Sequence, residues 1–291
     1  MNHHESQQPR ETDRPLGHLG ARLWAWLKGD AAAPDEPDET ASVDRIAPGV
    51  ACMSTSGANV CFVTDSPDGN SERWMLIDTG DPQSGHQILH AANRLFGKGS
   101  RPEAIFLTHG HIDHAGAAAE LAHIWDVPVY AHETELPYLM GQATYPPTDP
   151  GAWKWESIRR PDTPIDLGDR LRTLPEDGSL PAFAQWHWIA SPGHSPGHVS
   201  YFRDSDQLLI AGDAILADEA AGEGQLETGQ TQGPAFFSPE WETLHRLCGL
   251  KPSTAITGHG NPLSGVQLSQ CLTGRIHRNN SDTDSDSSYY S

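Results

Sequence analysis

Basic residues are scarce in this chain, which has 19 Lys and Arg against 39 Asp and Glu and a formal net charge of -20. An acidic surface repels nucleic-acid phosphates and anionic lipid headgroups. We therefore predict no nucleic-acid or membrane partner and expect a small-molecule substrate. A monomer and a homodimer both stay open, because one sequence does not separate an exposed apolar face from core.

Long apolar runs and paired cysteine motifs are also missing. No segment approaches the roughly 20 continuous apolar residues of a transmembrane helix. The polar residues 1–14 are unlike a secretory signal, so we expect a cytoplasmic protein. The chain has four cysteines and no C-x-x-C spacing, which predicts reduced thiols instead of a disulfide framework.

The length of 291 residues suits one α/β domain with a substantial core. Residues 1–42 end in a Pro- and acid-rich stretch and predict a flexible N-terminal segment. Residues 43–277 carry the apolar periodicity of a folded domain. The Ser- and Asp-rich residues 278–291 predict a disordered tail.

Buried apolar runs predict strands, and a 3.6-residue apolar period predicts helices. The predicted strands are residues 50–54, 59–64, 74–77, 104–107, 127–130, 186–190, 199–202, 208–213 and 255–257. The predicted helices are residues 83–96, 115–125 and 239–250. The aromatic, proline-broken residues 133–155 predict a lid or a substrate-facing wall, and a hydrophobic cluster that merely covers the sheet is the alternative. We expect a loop at 224–238 near the metals.

The most informative stretch is H-x-H-x-D-H, formed by His109, His111, Asp113 and His114. Imidazole and carboxylate groups bind divalent metals such as zinc. In an extended segment, side chains at i and i+2 point to the same side, so His109 and His111 are placed to bind one ion. Asp113 and His114, at the turn into a helix, then face a second ion. The spacing predicts a two-metal site.

More apolar runs end in side chains of the same kind. The loop P-G-H-S-P-G-H carries His194 and His198 after the predicted strand at 186–190. One ligand from this loop, His194, completes a set of three histidines with the first pair of the central cluster. We expect His198 to steady the loop by hydrogen bonds.

Three strand ends remain, each with one polar side chain. Asp213 follows a buried run, and its carboxylate can bridge two cations, which one imidazole does not normally do. His259 ends the run at 255–257. Asp78 ends the run at 74–77, where it either accepts the second N–H of a metal-bound histidine or forms a turn or helix cap.

These motifs, in this order between residues 43 and 265, resemble the metallo-β-lactamase superfamily. The resemblance implies an α/β fold, the αββα sandwich, with a dinuclear site along one edge. It assigns His109, His111 and His194 to the first metal and Asp113, His114 and His259 to the second. Asp213 would bridge both, and Asp78 would support them. The two divalent ions are usually zinc, with iron or manganese in some members.

Two divalent cations about 3.5–4 Å apart can share a water and lower its pKa, which gives a metal-bridging hydroxide near neutral pH. Asp113 is placed to accept or return a proton for the leaving group. We predict a metal-dependent hydrolase of an ester-type bond, with a lactone or other carboxylic ester as substrate class. Two alternatives stay open: a thioester hydrolase like glyoxalase II, and a non-hydrolytic metal-binding or redox member.

The subfamily features are mixed. Residues 133–150 resemble a bacterial branch of metallo-hydrolases, and the doubled P-G-H loop resembles lactonases that degrade acyl-homoserine lactones. Some of those lactonases have a tyrosine where this chain has Leu216, so Tyr138, Tyr145 or Tyr201 is the candidate replacement. Residues 214–222 lack the pattern found in glyoxalase II, and β-lactamases generally lack the bridging aspartate.

Overall fold

The computed structural model describes residues 42–56, 58–66, 71–143, 165–215 and 239–269. The predicted N-terminal segment, all but its last residue, and the predicted C-terminal tail lie outside these ranges. The second half of the predicted lid, Tyr145, Leu216 and the loop at 224–238 also lie outside them. Within the described ranges, no helix is both long and apolar enough to cross a membrane.

The first of two sheets in the described ranges has seven strands in the order β1 to β7. Strands β1 to β4 pair antiparallel, and β4 to β7 pair parallel. Parallel pairing brings the carboxyl ends of β4, β5 and β6 to one edge of the sheet. The strands are β1 Asp44–Ala47, β2 Val50–Ser54, β3 Asn59–Thr64, β4 Trp74–Ile77, β5 Ile105–Phe106, β6 Val129–Ala131 and β7 Leu171–Thr173.

The second sheet has five strands in the order β12-β11-β10-β9-β8. Strands β10 and β11 pair parallel, and the other pairs are antiparallel. The register of β10 on β11 shifts between Ile210 and Gly212, where β10 ends. The strands are β8 Trp186–Ala190, β9 Val199–Arg203, β10 Leu208–Gly212, β11 Thr254–Thr257 and β12 Leu263–Ser264.

The α-helices whose full extent lies in the described ranges are α1 Gly85–Phe96, α2 Ile112–Ala115, α3 Ala118–Trp125, α4 Leu136–Leu139 and α5 Pro239–Gly249. Helices α1 and α3 cover the outer face of the first sheet. There Trp74 of β4 stacks on Phe96 of α1 at 4.4 Å between ring centroids and meets Trp125 of α3 edge-on at 5.6 Å. Helix α5 covers the outer face of the second sheet through Leu244 and Leu247.

The main core lies between the two sheets. Alternate residues of β4 point inward, so Met75 and Ile77 join Phe106 of β5 against residues of the second sheet such as Tyr201 and Ile210. Cys52 and Cys61 are cross-strand partners in this core, with their sulfurs 2.6 Å apart, and both are free thiols. The layers are helix, sheet, sheet and helix, as the predicted αββα sandwich requires.

The predicted single helix at residues 115–125 is wrong at its start, because the chain forms α2 and α3 with a break between them. The carbonyl of His114 accepts hydrogen bonds from the backbone N–H and hydroxyl of Thr79 instead of continuing a helix. The N–H of Gly116 donates to the carbonyl of Gly80. A Cβ on Gly116 would lie 2.6 Å from Pro82 Cδ, so this glycine allows the close approach.

Candidate metal centre

The predicted metal ligands gather at one edge of both sheets. His109 and His111 follow β5, while Asp113 and His114 lie on α2. The second sheet contributes the other ligands at the ends of three of its strands. These are His194 in the loop after β8, Asp213 directly after β10, and His259 after β11.

The first group consists of His109, His111 and His194. Nε2 of His109 is 3.0 Å from Nδ1 of His111, which is in turn 2.8 Å from Nε2 of His194. One ligand atom from each of the three side chains lies within 4.8 Å of the others. The structure therefore brings the predicted first triad together.

The second group consists of Asp113, His114 and His259. Nε2 of His259 is 3.3 Å from Nε2 of His114 and 3.6 Å from Oδ2 of Asp113. Their ligand atoms also lie within 4.8 Å of one another. The second predicted triad is thus adjacent to the first, although His259 is 145 positions from His114 in the sequence.

Asp213 lies between the two groups. Its Oδ2 is 3.2 Å from Nε2 of His194 and 3.3 Å from Nε2 of His259, so this oxygen faces both triads. Its Oδ1 is 3.3 Å from Nε2 of His114 but has no partner with hydrogen-bond geometry among the described residues. A buried carboxylate oxygen without such a partner is costly unless a cation compensates it.

The spacing of the nitrogens fits divalent metal ions. Around a tetrahedral zinc ion with Zn–N bonds of 2.0–2.1 Å, ligand nitrogens are about 3.3–3.4 Å apart. The facing imidazole nitrogens here are 2.8–3.3 Å apart, equal to that spacing or shorter by up to about 0.5 Å. An arrangement of three convergent imidazoles beside a shared carboxylate therefore matches the donor set of a metal centre.

The histidines fall into two groups, those with a lowered pKa and those with a raised pKa. Burial lowers the pKa of His109 well below its ordinary value and lowers the pKa of His111 and of His194 to about 4. These imidazoles are neutral at pH 7 and can offer lone pairs. Burial also acts to lower the pKa of His114 and of His259. The carboxylates of Asp213 and Asp78 together outweigh burial at His114, and those of Asp213 and Asp113 do so at His259, so both pKa values are raised.

The same interactions also shift the pKa of Asp213. Burial alone would raise the pKa of its carboxyl group, but the imidazoles of His114 and His194 outweigh burial and hold the pKa well below its usual range. The site therefore favours a negative carboxylate with positive charge beside it. Divalent ions would supply that charge in place of protons on the histidines.

Asp78 orients two histidines by accepting hydrogen bonds, directly at His114 and through Thr108 at His109. Its Oδ2 accepts from Nδ1 of His114 at 2.9 Å and from the Thr108 hydroxyl at 2.8 Å. Since that hydroxyl donates to Asp78, it accepts from Nδ1 of His109 at 3.0 Å. Both histidines then have Nδ1 protonated and Nε2 free to bind a metal. The predicted hydrogen bond from a histidine to Asp78 is confirmed.

His198 has both ring nitrogens occupied. Its Nε2 accepts from the backbone N–H of Asp213 at 3.0 Å, and its Nδ1 donates to the Ser191 hydroxyl at 2.8 Å. Burial lowers its pKa well below the ordinary value, which agrees with a neutral ring. The prediction that His198 acts through hydrogen bonds is confirmed, and the group it positions is the carboxylate that lies between the triads.

Gly212 makes this contact possible. Its φ of +54° lies in the left-handed region, and a Cβ there would be 2.7 Å from Nε2 of His198. Only glycine fits both the backbone conformation and the space. The irregular end of β10 therefore turns Asp213 toward the candidate ligands His194 and His259.

Sequence reasoning missed two residues that hold this edge together. Asn59 of β3 is buried, and its Nδ2 donates to the carbonyls of Thr257 and Gly260 on either side of His259. Glu135, after β6, is fully buried and contacts two of the ligand loops. Neither residue belongs to a motif. The only sequence signal for them is a polar residue next to apolar ones without an evident reason.

The prediction of Tyr201 as a candidate substrate contact is wrong. It is fully buried between the sheets, where its hydroxyl donates to the carbonyl of Leu107 at 2.6 Å. Tyr138 is half-buried on α4. It remains a candidate, and Tyr145 lies outside the described residues.

Residues 54–259 match the protein family described as Metallo-beta-lactamase superfamily, which is more than half of the chain. The probable metallo-hydrolase YflN of Bacillus subtilis (strain 168) is 41% identical over 243 residues, 80% of this chain and 91% of that protein. The hydroxyacylglutathione hydrolase of Bdellovibrio bacteriovorus is 28% identical over 209 residues, 72% of this chain and 66% of that enzyme.

A solved structure agrees with these sequence matches. The crystal structure of TTHA1623 in a di-iron-bound form is similar with a TM-score of 0.51 and 28% identity, over 74% of this chain and 93% of that chain. The predicted αββα fold is confirmed, and the candidate ligands lie where this fold brings the strand ends together. From this family match and the relatives, we conclude that the chain belongs to the metallo-β-lactamase superfamily.

Proposed function

We propose that this protein is a dinuclear metal-dependent hydrolase of ester-type bonds. The observation that carries the proposal is the position of Asp213, which faces His194 of one triad and His259 of the other through the same oxygen. A carboxylate so placed suits two adjacent cations. When bound, the ions would supply a nucleophile at neutral pH and polarise the carbonyl of the substrate.

The side chains define a closed side and an open side of the centre. His109 and His114 are fully buried, whereas the side chains of His194, His259 and Asp113 are 24%, 34% and 20% exposed. Substrate would approach over the exposed residues. Asp113 is on that side, which supports its role in moving a proton to or from the leaving group.

A lactone or other carboxylic ester is the substrate class that we favour. The formal net charge of -20 repels anionic substrates over a long range, so an uncharged ester is better suited than a glutathione conjugate. The thioester alternative has its own support, because a relative is named hydroxyacylglutathione hydrolase. Thioester hydrolysis by the same site is therefore the second candidate.

Zinc is the metal that we propose, since histidine-rich sites with one shared carboxylate suit it. The similar structure of TTHA1623 is described as di-iron-bound, which supports iron as an alternative in the same ligands. Elemental analysis of the purified protein decides between them. Two equivalents of metal per chain are expected.

The test is a set of initial hydrolysis rates on uncharged lactones, aryl esters and S-lactoylglutathione, with chelated protein as control. We expect turnover that chelation abolishes and added metal restores, fastest on lactones or esters. A preference for the thioester would select the second candidate. No chelator-sensitive turnover on any substrate, with two metals bound, would favour a non-hydrolytic metal-binding or redox role.

Asp113→Asn tests this residue in the same assay, and the metal content of the variant separates its role in proton transfer from its role as a candidate metal ligand. We expect it to lower kcat by roughly 100-fold or more, the range of general acid–base catalysis. Asp169→Asn, an exposed aspartate far along the chain in the turn before β7, makes the same charge change and is expected to retain full activity. Equal rates in both variants would remove Asp113 from the mechanism.

A further inference from the structure

Glu135 is a buried carboxylate outside the predicted metal ligands. It ends a 3-10 turn, Glu133–Glu135, just after β6, and its exposed fraction is 0%. Its Oε1 accepts hydrogen bonds from the Ser195 hydroxyl at 2.8 Å and from the Gly197 N–H at 2.6 Å. Its Oε2 accepts from the Gly110 N–H at 3.0 Å.

The three donors belong to the two loops that carry the first triad. Gly110 lies between His109 and His111, in the loop that leaves the first sheet. Ser195 follows His194 in the loop that leaves the second sheet, and Gly197 is in the same loop. One side chain therefore joins the two loops whose histidine nitrogens meet at 2.8 Å.

We propose that Glu135 is a positioning residue for the first metal ion, holding the loops of His109, His111 and His194 at the separation that binding requires. This inference rests on the proposed metal-dependent function. A carboxylate is needed because both oxygens act as acceptors, one toward each loop. The amide of glutamine has one acceptor oxygen, so it can accept hydrogen bonds from only one loop. Its N–H₂ group would face the donors of the other loop.

Close packing against Glu135 also fixes the position of the loop that carries His194. A Cβ on Gly197 would lie 2.8 Å from both Cγ and Oε1 of Glu135 and 3.0 Å from its backbone nitrogen. The loop thus runs directly against the glutamate, without space for a side chain. Movement of Glu135 would be passed to this loop, and so to the neighbouring His194.

The test compares Glu135→Gln with Glu133→Gln, since Glu133 is exposed in the same turn and gives the same change of charge. Zn²⁺ affinity of each site is measured by competition with a chromophoric chelator, and Co²⁺ absorption reports the ligand geometry. We expect Glu135→Gln to weaken one of the two Zn²⁺ sites by about 10–100-fold and to change its Co²⁺ spectrum, the usual effect of a residue that orients metal ligands. Glu133→Gln should match the wild type.

The melting temperature of the metal-free protein separates this role from plain stabilisation. If Glu135 only stabilises the fold, Glu135→Gln lowers the melting temperature but leaves both Zn²⁺ affinities unchanged, and the inference is wrong. Gly197→Ala is the second variant, expected to weaken the same Zn²⁺ site with Glu135 still present. A wild-type protein that binds no metal would contradict the proposed function itself, a result distinct from equal affinities in the variants.

Discussion

The carboxylate of Asp78 accepts a hydrogen bond from Nδ1 of His114 at 2.9 Å, across 36 positions of the sequence. Asp78 comes from the end of β4 and has a φ of +60°, a left-handed conformation that is uncommon for residues other than glycine. The same carboxylate accepts from the N–H and hydroxyl of Thr108. Two of the predicted metal ligands are therefore oriented by one strained residue.

Asp78→Asn tests this relationship with little change of shape. Asparagine tolerates the left-handed conformation. Its amide would donate to Nδ1 of His114 and so move the ring proton to Nε2, the nitrogen that faces the metal. We expect metal affinity at the second site to fall by about 10–100-fold, measured by chelator competition.

Asp169→Asn provides the control for loss of one negative charge at an exposed position. Its metal affinities should equal those of the wild type. If Asp78→Asn also binds both ions normally, Asp78 is a turn residue and does not orient the ligands.

Gly258→Ala should disturb the centre from the second sheet. A Cβ at this position would clash with Oδ1 of Asp213 and lie 2.9 Å from Cε1 of His114. Overpacking of this kind costs roughly 1–3 kcal/mol, so we expect a lower free energy of unfolding and fewer than two metals per chain. Urea unfolding and elemental analysis measure the two effects.

Gly249→Ala is the matched control, because a Cβ at the end of α5 would meet nothing within 4 Å. Alanine is preferred to glycine in a helix by about 0.5–1 kcal/mol, so this variant should be as stable as the wild type or more so. Equal stability and metal content in both variants would mean that Asp213 can move without loss.

Removal of metal should destabilise the protein reversibly. A ligand at 100 times its Kd adds about 2.7 kcal/mol per site to the free energy of unfolding. At roughly 2–4 °C per kcal/mol for a large domain, chelation should lower Tm by about 5–10 °C for each ion lost. Differential scanning calorimetry with and without added Zn²⁺ measures the shift.

His259→Ala is the comparison for that experiment, because it removes a candidate ligand from the second triad only. Its Tm should rise with Zn²⁺ by about half as much as that of the wild type, as expected for one remaining site. A wild-type Tm that does not respond to chelation would show that the folded protein holds no metal.

Tyr201→Phe tests whether this tyrosine acts in the core or on substrate. Its hydroxyl donates to the carbonyl of Leu107, 94 residues away, in the layer between the sheets. Loss of a donor to a buried carbonyl costs about 1–3 kcal/mol, so we expect lower stability in urea and an unchanged KM. Tyr138→Phe, on the half-buried Tyr138, is the comparison for a substrate contact.

The two outcomes distinguish the tyrosines. A rise in KM with Tyr138→Phe alone would support Tyr138 as the residue that replaces the missing tyrosine at Leu216. A rise in KM with Tyr201→Phe and no loss of stability would contradict the buried position of Tyr201.

The sequence was a good guide to the strands that end in metal-type side chains. The H-x-H-x-D-H cluster, His194, Asp213 and His259 could be predicted because each follows an apolar run, and strand ends of such sheets meet at one edge. Their roles as metal ligands stay predictions. The break between α2 and α3 could not be predicted, because it depends on hydrogen bonds from Thr79 and to Gly80, which lie far away in the sequence.

Glu135 shows most clearly where sequence patterns stop. It lies in a turn beside the exposed Glu133, and nothing in the local sequence distinguishes the two glutamates, although charged residues are rarely buried without partners. Its donors are separated from it by 25, 60 and 62 positions. The periodicity of a local stretch of sequence does not indicate contacts between residues so far apart in the chain.

The division of the candidate ligands between the two sheets determines when a folding chain could bind the proposed metals. His114 and His259 are 145 residues apart in sequence, and their nitrogens meet only after the second sheet has packed on the first. A nascent or partly folded chain with one sheet formed has no complete triad. Under the proposed function, metal capture therefore requires both sheets to be docked, and a newly made chain would bind both ions only when its C-terminal half is in place.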